Sequence, residues 1–216
     1  MSDFQTRRTM MVDTQVRPSD VTKFPIIDAM LSVPREGYVP QAQRQAAYVS
    51  DNLEVAEDRW MLEPRTFAKM LDALMVEPTD LVLDIGCGLG YSSAVLAQMA
   101  EAVVAVERDD IGAEAQAILS DHSVDNVAVI EGNLALGAAQ HGPYDAIMIQ
   151  VGVEDVPESL TDQLKDGGRI AALVMTGALG EVRIGHKEQG RVSWKLSFNA
   201  SAPVCPEFRQ MATFQL

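Results

Sequence analysis

Cysteine, histidine, aromatic residues and positive charge are all scarce in this chain. It has two cysteines and three histidines in 216 residues, and an aromatic share of 6%. Cys87 and Cys205 are too few and too far apart for a disulfide scaffold, and their spacing offers no metal site. The sequence therefore predicts free thiols and no bound metal. His122, His141 and His186 stand singly beside Ser, Gly or Lys. Each reads as a surface loop or strand residue rather than a ligand or base. With no activated-nucleophile motif either, hydrolase chemistry is disfavoured. No apolar run approaches the length of a membrane span, and the N-terminus lacks the pattern of a signal peptide, so the expected location is cytoplasmic. Seventeen Lys and Arg face 31 Asp and Glu, for a net charge of −14. Such a surface repels phosphate, so neither nucleic acid nor an anionic membrane is expected as a partner.

Hydrophobic residues make up 47% of the chain and charged residues 22%, a balance that suits one globular α/β unit with an extension. The first dozen residues read as flexible. From about Asp20, Phe24, Ile27, Met30 and Leu31 keep helical spacing until the prolines at 34 and 40. A short helix over 42–48 follows. Another starts at Pro64, with Phe67, Met70, Leu71 and Leu74 on one face and Pro78 as its stop. Beyond Leu81 the rhythm changes. Strands are predicted over 81–85, 102–107, 127–131, 144–150 and 169–175, and helices over 91–99, 111–120 and 157–165. Strand–helix alternation of this kind implies a parallel sheet whose strand ends share one ligand-binding edge. Segments 181–187, 192–199 and 208–215 alternate like antiparallel strands added at the end.

The densest motif is Asp84-Ile85-Gly86-Cys87-Gly88-Leu89-Gly90-Tyr91. A buried strand runs into a turn with glycines at i, i+2 and i+4, where the backbone takes positive φ and a ligand approaches closely. A dinucleotide fingerprint needs its third glycine at i+5, and Tyr91 stands there, so the turn is wrong for NAD. The second strand ends in Glu107, placed to take both ribose hydroxyls of an adenosine-type cofactor. Asp84 either reaches the cofactor or only holds the turn. Ser92 and Ser93 either contact the cofactor or cap the helix.

The glycine turn resembles the first motif of the class I S-adenosylmethionine (SAM) methyltransferases. Val33-Pro34-Arg35-Glu36, Tyr38-Val39-Pro40, Ala47-Tyr48 and Asp51 resemble a narrower group, the protein-L-isoaspartate O-methyltransferases. Ala94-Val95-Leu96-Ala97, Tyr144-Asp145-Ala146-Ile147 and Gly167-Gly168-Arg169 extend the likeness over roughly 20–170. The resemblance implies a Rossmann-like sheet, mostly parallel and seven-stranded, with an antiparallel C-terminal strand. It also implies an N-terminal helical extension over 1–65 capping the substrate, and a SAM-binding domain over 66–216. The cofactor residues it implies are Asp84, Gly86, Cys87, Gly88, Gly90, Glu107, Arg108, Gly132 and Asn133, with Asn133 near adenine. Trp60 and Met61 would lie over the mouth.

The chain departs from the family mostly on the substrate side. Leu62 stands where the family has a serine, and an aliphatic side chain offers no hydroxyl. No catalytic residue is therefore assigned. Leu173 and the loop at Val151 also differ, and Gly132-Asn133-Leu134 replaces a Gly-Asp-Gly. Three functions remain open from the sequence. They are methyl transfer to a carboxylate of damaged protein, methyl transfer to a small molecule or other protein group, and SAM binding without catalysis. An RNA acceptor is opposed by the charge.

Overall fold

The computed structural model describes residues 3–210. Seven strands form one sheet: β3 (Leu81–Ile85), β4 (Ala102–Glu107), β5 (Val127–Glu131), β6 (Tyr144–Val153), β7 (Leu164–Thr176), β8 (Leu179–Glu188) and β9 (Arg191–Asn199), in the order β5-β4-β3-β6-β7-β8-β9. The pairs from β5 through β7 are parallel, and β8 and β9 add antiparallel at one end. The order reverses between β3 and β6, which opens a crevice at the carboxyl ends of those strands. The fold is the one the sequence predicts.

The β3 sequence shows why this edge can carry a site. Successive residues of a strand point to opposite faces, and both faces here are covered. Val82 joins an apolar cluster with the N-terminal helices, whereas Leu83 and Ile85 join the cluster beneath β6 and β7. The packed helices include α3 (Pro64–Leu74), in which Phe67, Met70, Leu71 and Leu74 are buried at helical spacing and Pro64 starts the first turn. Met75, in the left-handed conformation with φ 53°, ends it.

Several sequence expectations need correction. From Asp3 onward the first residues are helical: α1 (Asp3–Met11) runs into a π-helical stretch to Val16, and Met11, Val12 and Val16 are buried. Its charged appearance hid a narrow apolar stripe. In α2 (Phe24–Ser32), Phe24 is 75% exposed because it opens the helix beyond the packed stripe, and Ile26, Ile27, Ala29 and Met30 face inward. The helix expected over 157–165 is only α6 (Glu158–Thr161), since β7 begins at Leu164 and runs through the Gly167-Gly168 turn. The 42–48 segment is a 3₁₀ stretch from Gln41 to Ala46. Helices α4 (Tyr91–Ala97) and α5 (Asp109–Asp121) stand near their expected places. A small two-stranded sheet, β1 (Leu53–Ala56) with β2 (Arg59–Met61), was not foreseen, because both strands are short and carry charge. Of the strand expected over 208–215, residues 211–215 lie outside the described residues, and Pro206–Phe208 is a 3₁₀ turn.

The C-terminal segment crosses the sheet edge at Gly152. Gly152 bridges Val204 in parallel fashion, and its carbonyl accepts a bond from the Cys205 amide at 2.9 Å. A Cβ on Gly152 would meet the Pro203 and Ala202 carbonyl oxygens at 2.7 and 2.9 Å. Backbone cannot yield as a side chain does. Gly152→Ala is expected to cost about 1–3 kcal/mol of unfolding free energy in a denaturant titration. A loss under about 0.5 kcal/mol would show that the segment is not locked there.

Candidate active site

The glycine turn after β3 has the geometry its sequence requires. Gly86, Gly88 and Gly90 take φ of 75°, 55° and 95°, in the left-handed region that side chains disfavour. A Cβ on Gly86 would approach Val151 Cγ1 to 2.9 Å. The turn is braced from below by Asp84, which is fully buried. Its Oδ2 accepts bonds from the Ser92 and Ser93 hydroxyls, each at 2.6 Å, and its Oδ1 accepts one from Gln150 Nε2 at 3.0 Å. Asp84 thus ties β3 to the start of α4 and the end of β6. Of the two readings left open for it, the geometry supports holding the turn. The serines do not cap α4, whose N-cap is Gly90. They serve Asp84 instead.

Glu107, at the tip of β4, is wholly buried beside this turn. Its Oε2 accepts from the Gly88 amide at 2.9 Å, and its Oε1 accepts from the Arg108 amide at 2.9 Å. Arg59 Nε also donates to Oε1, at 2.6 Å. The Arg59 guanidinium is itself buried and donates further to Glu207 Oε1 at 2.6 Å and to Cys205 Sγ at 3.3 Å. Burial opposes ionisation of Glu207, but its bonds to Arg59 and Cys205 outweigh that and hold it below the ordinary glutamate range. Arg59 and Glu207 lie 48 residues before and 100 residues after Glu107, and no local sequence pattern marks either of them.

The other predicted residues divide. Cys87 lines the cavity beside the turn, and burial and the negative charges of Asp84 and Glu107 push its thiol well above the ordinary range. Arg108 contributes its amide, while its side chain pairs with Asp110 at 2.9 Å. Gly132 donates its amide to the Glu107 carbonyl at 2.9 Å, and a Cβ there would meet nothing within 4 Å among the described residues. Asn133 is exposed, and its Oδ1 caps the Ala135 amide at 2.8 Å. Trp60, Met61 and Leu62 line the cavity opposite Gly86, Cys87 and Gly88. The enclosed space is about 10 Å³, room for roughly one water.

Arg35 explains why the Val-Pro-Arg-Glu element is bound up with this site. Fully buried, it donates to the Ala47 carbonyl at 2.6 Å and the Leu62 carbonyl at 2.7 Å, and lies 4.7 Å from the centre of the Tyr91 ring. It fixes the backbone of Leu62 relative to the glycine turn. Among the described residues, the buried Tyr91 hydroxyl and Arg35 Nη1 complete no well-formed hydrogen bond, and the charge of Arg35 acts on the Tyr91 hydroxyl. The histidines stay outside: His122 stacks on Tyr38 and His141 meets Gln140. Among the described residues no cluster of three or more His, Cys, Asp or Glu could hold a metal ion, and no helix is long and apolar enough to cross a membrane.

A family model of protein-L-isoaspartate(D-aspartate) O-methyltransferases matches residues 7–199. The chain belongs to that family. A protein-L-isoaspartate O-methyltransferase of Syntrophus aciditrophicus is 37% identical over 171 residues, covering 79% of this chain and 78% of the relative. One from Koribacter versatilis is 32% identical over 193 residues, covering 89% and 87%. Among solved structures, a protein-L-isoaspartate O-methyltransferase superposes with a TM-score of 0.80 at 24% identity, covering 91% of this chain and 65% of that one. A candidate protein-L-isoaspartate O-methyltransferase from Plasmodium falciparum, solved with S-adenosyl-L-homocysteine, gives 0.79 at 18%, covering 96% and 100%. These two likenesses establish the methyltransferase fold. Membership of the protein-L-isoaspartate O-methyltransferases rests on the family model and the sequence relatives.

Asp84 gives a test of the brace beneath the turn. Burial, only partly offset by Ser92, Ser93 and Gln150, raises its carboxyl to about 6, and the Glu107 charge adds to the rise. A carboxyl raised in the fold contributes stability that is complete below its unfolded value, near 4, and is lost as pH climbs through 6. Unfolding free energies of wild type and Asp84→Asn, measured across pH 4–7, are expected to change relative to each other. Wild type should lose roughly 1–3 kcal/mol more than the variant over that range. A constant difference would contradict the raised carboxyl.

Proposed function

We propose that this family member is a SAM-dependent O-methyltransferase of isoaspartyl carboxylates in protein or peptide substrates, working in the cytoplasm. The observation that carries the reading is the buried Glu107 carboxylate beside a bare glycine turn at the switch point of the sheet. The donor chemistry fits an adenosyl cofactor. Glu107 accepts from diol hydroxyls, and the glycines admit close backbone approach. Asp84 works one layer below, keeping the turn in shape.

Bound SAM supplies a methyl group on a sulfonium, which is already an activated donor. The chain then has little acid–base work to do, because a carboxylate acceptor is ionised at neutral pH. That agrees with a cavity lining of Trp60, Met61, Leu62, Phe67 and Tyr91, which has apolar surfaces and no histidine. These residues exclude water and orient the acceptor, and orientation alone is worth about 7–11 kcal/mol in well-aligned reactions. Leu62 is buried and its carbonyl is held by Arg35, so the position vacated by the family serine acts here through backbone and shape. The segment before Pro64, its helices together with the β1–β2 hairpin, serves as the substrate cap.

Incubation with methyl-labelled SAM and a matched pair of peptides, one isoaspartyl and one aspartyl, tests the reading. Base-labile label is expected on the isoaspartyl peptide alone. No incorporation by protein that binds the cofactor would reject this acceptor.

A further inference from the structure

The ribose-facing carboxylate already has an internal occupant. Glu107 receives Arg59 Nε together with the Gly88 and Arg108 amides. A carboxylate offers about four lone-pair sites, so three donors leave one. A ribose diol brings two donors. One of the three present must therefore leave, and two of them are backbone groups fixed by the glycine turn and the end of β4. Arg59 is the one that can go.

The surroundings support the same conclusion. Arg59 sits on the β1–β2 hairpin, which forms a sheet of its own and, among the described residues, pairs with no strand of the main sheet. Its turn holds Asp58 at φ 58°, and the pairing is irregular between Glu54 and Ala56. The neighbouring Trp60 and Met61 close the cavity to about 10 Å³, where small-ligand sites run to roughly 300–1,000 Å³. Glu207 and Cys205 of the C-terminal segment hold the far side of the guanidinium. Opening the site and freeing Glu107 are thus one movement of one hairpin.

We propose that Arg59 competes with the cofactor's ribose for Glu107, so that the hairpin Leu53–Met61 must carry the guanidinium off the carboxylate before the adenosyl group seats, and that Arg59 thereby sets cofactor affinity. This rests on the cofactor reading above. Arg59 is a positioning residue that acts through Glu107. Apparent affinity falls by the fraction of molecules with the carboxylate free, so removing the competitor tightens binding.

Calorimetric titration with S-adenosyl-L-homocysteine of wild type, Arg59→Met and Arg59→Lys, each first shown to be folded by thermal melting, reads this out. Arg59→Met is expected to bind at least about tenfold more tightly than wild type, equivalent to about 1.4 kcal/mol. Arg59→Lys, which cannot bridge Glu107 and Glu207 as a fork, is expected in between. Equal or weaker binding by folded Arg59→Met overturns the proposal alone. No binding by any folded variant overturns the cofactor reading along with it. Should the substitutions unfold the protein, a crystal structure of the wild-type complex decides. Arg59 Nε is expected more than about 4 Å from the Glu107 carboxylate, and retention of that bond with the ligand bound overturns the proposal.

Discussion

A carboxylate with no exposed surface, at the tip of the second parallel strand, organises the ligand edge of this protein. Burying Glu107 would be prohibitive were it not met by two backbone amides and a guanidinium. Each partner places a constraint on the rest of the fold. The Gly88 amide can point at it only because the turn runs through left-handed backbone. The Arg108 amide fixes where β4 must stop. Arg59 draws in the β1–β2 hairpin and, through Glu207 and Cys205, the C-terminal segment that crosses Gly152.

Beneath it lies a second buried carboxylate with a different task. Asp84 and Glu107 occupy the ends of neighbouring strands, yet Asp84 meets two hydroxyls and a side-chain amide, and Glu107 meets a cation. The difference in partners gives the two carboxylates different surroundings: Asp84 ties β3 to α4 and β6, and Glu107 is paired with Arg59. Arg35, on the opposite side, fixes Leu62 against Tyr91, so that the N-terminal helices and the glycine turn share one apolar cluster.

The sheet and its ligand edge were legible because they follow from local patterns. Apolar runs such as Leu81–Ile85 report burial on both faces, and three glycines in five residues announce a backbone that side chains could not follow. The glycine turn and Glu107 are therefore found from spacing alone. Arg59 is not, since its role exists only through partners brought together by the chain's long-range folding. Helix α1 was missed for another reason: its apolar residues are few, and their burial is decided by what packs on them. The short charged strands β1 and β2 carry too little alternation to be read, although they bear the guanidinium that meets Glu107.

The central claim is that Glu107 was placed to receive a ribose diol, and the most direct measurement removes one hydroxyl from the ligand and leaves the protein intact. Titration of the wild-type chain with S-adenosyl-L-homocysteine and with its 2′-deoxyribosyl analogue is expected to show at least about a tenfold preference for the intact ribose. Equal affinity for the two compounds would contradict the account.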